Sequence, residues 1–212
     1  MSGYTMWIVF DVQTSKRLSS LSPLLEFVKL SLNTGFDFYS SYPKKDELDL
    51  DEINKIVEQK RDHAIKNKAS ALILNFGKNN LNVSLGIDII NQNLFDVTVY
   101  SKEFPYDKEL RFQKVCDLVS FCSNAYIALA PDYGYGITSP ESQPIESSDL
   151  KLLPTNIYDF NFFGPDLVSR LSAKKLLSCP TWRTNTFDDG GILLELSADP
   201  IEQAEDFRDN YY

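Results

Sequence analysis

The sequence has little of several things: one histidine, three cysteines, nine glycines and ten prolines in 212 residues. Each shortage excludes a class. A lone histidine, His63, leaves the usual zinc ligand sets and a Cys-His nucleophile pair almost without material. Three cysteines are too few, and an odd number, for a disulfide framework, and Cys116, Cys122 and Cys179 show no CxxC spacing. The low glycine and proline content excludes collagen-like and low-complexity chains. No apolar run approaches the roughly 18 residues of a membrane helix. The apolar stretch Trp7–Phe10 stops at Asp11 and has no basic segment before it, so no signal peptide is expected. Bases are scarce beside acids, 21 against 30, which leaves a formal charge of −9. An acidic surface repels phosphate, so nucleic acid is not an expected partner and a basic protein is the better fit. GxSxG, GxxxxGK[ST] and GxGxxG are all absent. These readings assign no catalytic residue, no metal ligand and no cofactor, and they predict a non-enzymatic protein of the cytoplasm.

What is present suffices for a packed domain. Hydrophobic residues make up 43% and aromatics 13% of the chain, and a chain of this length buries roughly 70% of its unfolded surface without staples. Residues 6–12 read as a strand from their β-branched and aromatic content. Ser20 or Ser22 is the predicted cap of a helix that carries Pro23 at its start and Leu21, Leu24, Leu25, Val28 and Leu32 on its inner stripe. Gly35 ends that helix, and a short strand follows near Phe36–Tyr39. Asp49 or Asp51 caps a second helix to about Asn67, with Ile53, Ile56, Val57 and Ala64 inward and a basic outer face. Strands follow at 71–76, 81–90 and 94–100, the middle one alternating strictly, and their short turns imply antiparallel pairing. Asp107 caps a third helix to about Cys122, with Phe112, Val115, Cys116, Val119 and Cys122 at the spacing of one buried face. Residues 125–130 read as a further strand.

Residues 131–156 are rich in proline, serine and glutamate and read as a long connecting loop. Tyr133 and Tyr135 flank Gly134 there, and aromatics among acids suit a protein-binding surface. Asp132, Tyr133, Tyr135, Glu141 and Glu146 are the predicted contact residues. Beyond the loop, Gly164-Pro165-Asp166 marks a helix start, Ser172 a second short turn, and Asp188-Asp189-Gly190-Gly191 a hairpin between strands at 181–184 and 192–196.

The segment Asn161-Phe162-Phe163-Gly164-Pro165-Asp166-Leu167-Val168-Ser169-Arg170-Leu171 continues to Lys174-Lys175-Leu176-Leu177-Ser178-Cys179-Pro180. It is followed by Asp188-Asp189-Gly190-Gly191-Ile192-Leu193-Leu194-Glu195-Leu196 and Asp199-Pro200. Over about residues 156–200 this resembles the C-terminal part of bacterial immunity proteins of polymorphic-toxin and type VI secretion systems. The resemblance implies an α+β domain, without catalysis of its own, that binds and neutralises a cognate toxin protein.

The fold expected is a single α+β domain over residues 1–212. Its mostly antiparallel central sheet is flanked by helices, with a small C-terminal helix-hairpin unit packed against it. The function expected is toxin neutralisation through an acidic, aromatic surface. A carboxylate-dependent hydrolase and a self-assembling structural or regulatory domain are the alternatives.

Overall fold

The computed structural model describes residues 5–11, 21–39, 49–69, 71–88, 94–99, 104–105, 107–139 and 157–202. Among these residues nine strands and five helices run in the order β1 (Thr5–Asp11), α1 (Ser22–Asn33), β2 (Asp37–Tyr39), α2 (Leu50–Lys66), β3 (Ala71–Lys78), β4 (Leu81–Asp88), β5 (Leu94–Val99), α3 (Lys108–Leu129), β6 (Tyr133–Ser139), β7 (Phe160–Phe163), α4 (Pro165–Leu171), α5 (Ala173–Leu177), β8 (Arg183–Thr186) and β9 (Ile192–Glu195). The strands join in one sheet of order β2-β3-β4-β5-β1-β6-β7-β9-β8. Every pairing in it is antiparallel. The fold is α+β, as the sequence predicts. The C-terminal hairpin, however, continues the main sheet through β6 and β7.

Local chemistry explains most boundaries. Asp49 closes a capping box with Glu52: its carboxylate accepts from the Glu52 amide at 2.8 Å, and Glu52 accepts back from the Asp49 amide. Helix α1 differs from expectation at its start, where Leu21 holds the cap position without a side-chain bond. Ser22 is already helical there, and Ser20 lies outside the described residues. Gly35 takes φ +84° just past the end of α1, the left-handed conformation that glycine adopts freely. Asn79 and Asn80, at φ +49° and +60°, make the two-residue β3–β4 turn.

Helix α3 is the principal correction. Residues 125–130, predicted as a strand, are instead its last turns and its cap. Asp107 caps its start by accepting from the Leu110 amide at 2.9 Å. Ala130 turns left-handed at φ +45° before Pro131 stops it. Its buried residues, from Asn124 and Asp117 through Phe121, Ala125 and Val115 round to Val119, span roughly 220° around the axis at ~100° per residue. Such a helix loses the one-sided pattern that identifies amphipathic segments. The second correction is β6: residues 133–139, predicted as loop, are a strand between β1 and β7.

The contacts of α3 reveal the curvature of the sheet. On one flank the Lys78 ammonium, at the end of β3, meets the Asp117 carboxylate at 2.8 Å, and Lys114 donates to the Asn80 carbonyl. On the other, the Phe112 ring meets Trp182 just before β8 at 5.6 Å, and the Tyr126 hydroxyl donates to Asp189 at 3.0 Å. In the sheet β3 and β8 stand seven places apart. In a flat sheet that is roughly 34 Å at ~4.8 Å per strand. A helix is only about 10–12 Å across, so the sheet curls around α3.

Two cores result. On the concave side Phe121 packs against Phe27, Phe36 and Phe76, with ring centroids 5.0–5.2 Å apart. On the outer face α4 and α5 lay Leu167, Val168 and Leu176 over Tyr133, Tyr135, Phe163, Ile192 and Leu194. Gly164 is required at the start of α4, because a Cβ there would lie 2.7 Å from the Pro131 carbonyl oxygen.

Phe121→Ala is expected to cost about 3–5 kcal/mol. Urea unfolding would show it as a lower midpoint at unchanged slope. At the rim of the second core Asp159 accepts from the Thr138 amide at 2.7 Å, and burial raises its pKa against that bond. A carboxyl raised in this way adds stability below its unfolded pKa and loses it as pH climbs through the folded value. Asp159→Asn is therefore expected to melt higher than wild type at pH 7, with the advantage vanishing below about pH 4. Thermal unfolding across that range checks it.

Candidate protein-binding seam

Of the residues predicted to bind a partner, the described ones, Asp132, Tyr133 and Tyr135, form no exposed patch. Tyr133 and Tyr135 are 4% and 2% exposed, because both belong to β6 and face α4 and α5. The Tyr133 hydroxyl donates to the Asn161 side-chain oxygen at 3.3 Å, and the Tyr135 ring stacks on Tyr158 at 4.5 Å. Burial raises the pKa of Tyr133 well above that of a free tyrosine. The expectation that these two rings lie on a surface loop is therefore overturned. Asp132 is half-buried, and its carbonyl accepts from the Gly164 amide at 2.8 Å. Glu141 and Glu146 lie outside the described residues.

The exposed aromatics lie elsewhere. Trp182 and Phe112 are 42% and 38% exposed and meet edge to face. Phe112, expected on the buried stripe of α3, stands at its surface instead. The Arg183 guanidinium lies over the Trp182 ring, 4.7 Å from its centroid. That guanidinium is held by two hydrogen bonds to Glu195, of 2.6 and 2.8 Å, and Glu195 is 1% exposed. The fork-on-fork geometry fixes Arg183 and braces the indole. Trp and Arg held rigid at a surface are the residue types that dominate interface energies.

This cluster marks one end of a longer feature. Glu109, Phe112, Gln113, Cys116, Ser120, Ser123 and Ile127 fall within about 100° of arc on α3 at ~100° per residue. All of them are exposed or half-buried. Tyr126 and Phe112 on one side of the arc touch the β8 hairpin. Asn124 and Asp117 on the other side bond Thr34 and Lys78. The arc is thus the strip of α3 that the curled sheet leaves uncovered, a seam roughly 27 Å long at 1.5 Å per residue. Small side chains (Cys116, Ser120 and Ser123) occupy its middle. Phe112 and the 54% exposed Ile127 stand at its ends. Strand β8, exposed along all four residues, forms one bank.

Burial pushes the Cys116 thiol up, against the lowering effect of Arg183, so it packs as a neutral group. Among the described residues no three of histidine, cysteine, aspartate and glutamate converge as metal ligands. A second, wide-open depression of about 420 Å³ lies between α2 and β3, lined by Gln59, Lys60, His63 and Ile73 among others. His63, on the basic face of α2, is exposed. No helix of the described residues is long and apolar enough to cross a membrane.

Comparison with known proteins adds only a distant likeness. No protein-family model and no curated protein matches the chain. Among solved structures the Pseudomonas aeruginosa T6SS protein PA0821 is similar, with a TM-score of 0.46 at 8% identity over 93% of this chain and 70% of that one. At that distance the likeness carries no argument about activity.

Arg183→Ala leaves Glu195 buried without its cation and is expected to destabilise the fold by on the order of 3 kcal/mol. Trp182→Ala, at an exposed site, is expected to shift it by less than about 1 kcal/mol. Paired denaturant titrations of the two variants check the contrast.

Proposed function

We propose that this chain is a non-enzymatic immunity protein that neutralises a cognate toxin by binding it at the α3 seam. The observation that carries the reading is the Phe112–Trp182–Arg183 cluster: two exposed aromatic rings and a guanidinium, pre-positioned by the buried Glu195. Rigid aromatic anchors lose little conformational entropy on binding, which is why they concentrate affinity. Two further features agree. The net charge of −9 favours a basic partner and faster capture of it. In the segment that resembles immunity proteins, the described residues 157–200 include β7, α4, α5 and the β8–β9 hairpin, which supply the bank of the seam.

The test is capture followed by protection. The tagged chain is used as bait in its native host, and the recovered protein is expressed with and without the chain in a sensitive cell. Rescue of growth is the expected result; recovery of no toxin-like protein sinks the immunity reading. Trp182→Ala and Phe112→Ala are expected to weaken binding of the captured protein by about 2 kcal/mol each, some thirtyfold in Kd. Their melting temperatures should stay within a few degrees of wild type. Unchanged affinity in both variants would remove the seam as the binding site.

A further inference from the structure

The bank of the seam is a sheet edge, and its ladder sets which backbone groups face outward. The Phe187 amide donates to the Gly191 carbonyl at 2.9 Å, and Thr186 stands opposite Ile192. Hydrogen-bonded pairs alternate along an antiparallel ladder. Asn185 therefore bonds inward to Leu193, and the amides and carbonyls of Thr184 and Thr186 point outward. Among the described residues no strand pairs with that side of β8. A strand added there, about 4.8 Å out, would run beside the uncovered arc of α3. The small side chains of Cys116, Ser120 and Ser123 leave room for its inward-facing residues, and Phe112 with Trp182 closes one end.

The charges select the occupant. Lys108, Arg111 and Arg183 at this end are each matched internally, to Glu202, Asp199 and Glu195. Glu109 on the arc and Asp188 in the hairpin turn are exposed, and neither has an ion-pair partner among the described residues. The seam is therefore acidic at both ends. A second copy of this chain fits it poorly, since its own β8 carries an α3 on the same face and the two helices would compete for one strip. We infer that the seam takes an extended, basic segment of the partner protein, which adds to β8 as a tenth strand with alternate side chains over α3. The inference rests on the partner-binding reading above and supplies its mode of contact.

The full chain, labelled with nitrogen-15, is titrated with a blocked decapeptide of alternating valine and lysine. The expected result is saturable amide shifts and slowed hydrogen exchange at Thr184 and Thr186, with accompanying shifts at Cys116 and Ser120. A glutamate-for-lysine peptide should not bind. A peptide N-methylated at alternate residues should bind at least about tenfold more weakly, having lost its backbone donors. Thr184→Pro removes one outward donor at a position where an edge strand tolerates proline. Ser120→Trp fills the strip from the helix side. Both variants, once shown to melt cooperatively, should lose the shifts. Three results overturn the inference: no saturable shift at millimolar peptide, equal binding of the N-methylated peptide, or self-association in sedimentation that protects the same amides. If the inference fails while Trp182→Ala still weakens the captured toxin, the partner-binding reading stands and only strand addition falls.

Discussion

The enclosure of α3 by a single curled sheet is the constraint on which the rest of the molecule depends. Antiparallel strands twist with a fixed hand, and nine of them accumulate enough rotation and coiling to wrap a helix. Here the wrap is held at both flanks by polar contacts to that helix: Lys78 to Asp117 on one side, Tyr126 to Asp189 on the other. Between them Phe121 packs into Phe27, Phe36 and Phe76, which draws α1 in beside α3. The fit is close. A Cβ at Gly191 would overlap the Tyr126 hydroxyl, so the hairpin turn approaches the helix without a side chain between them.

The same wrap produces the surface proposed to act. A sheet that stops short of closing leaves an edge strand and a strip of its central helix side by side. Exposed edges invite unwanted pairing, and proteins blunt them by shortness, charge or cover. Strand β8 is short and carries Arg183, yet its other side chains are uncharged, and all four residues are exposed. The bidentate Arg183–Glu195 pair serves both the sheet edge and the aromatic cluster. It fixes the first residue of the edge, and it holds the cation against Trp182.

Where the pattern was local, the fold could be read from the sequence. The helix cap at Asp49, one of the two acids expected there, the glycine at 35 and the strict alternation through Leu81–Ile87 each act within a few residues and appear where expected, while the turn expected over residues 77–80 tightens to Asn79–Asn80. Helix α3 was legible only over its first half. Ala125–Ala130 is apolar throughout, the exposed Ile127 included, and a helix buried on most sides cannot be told from a buried strand by period. Strand β6 was missed because Gly134, Gly136 and the nearby prolines signal a turn. Its place in the sheet depends on β1 and β7, which are remote in sequence. The site failed for the related reason that burial is a tertiary property. Tyr133 and Tyr135 are hidden by α4 and α5, whereas Phe112, periodic with the core, falls at the gap in the wrap. Trp182 beside the polar run Arg183–Thr186 was the available signal.

The position of β1 in this sheet has a consequence for biosynthesis. The strand at the centre of the sheet comes first in the chain, and its neighbours come late: Thr5 stands opposite Ser139, and Met6 opposite Val99. While the ribosome is still making α3, β1 has at most one of its two partners. The local hairpin β3–β4 can form early, but the central strand must wait, and such long-range closure makes folding slow. Until β6 emerges, one side of the central strand is unsatisfied, and the nascent chain is open to chaperone capture or mispairing.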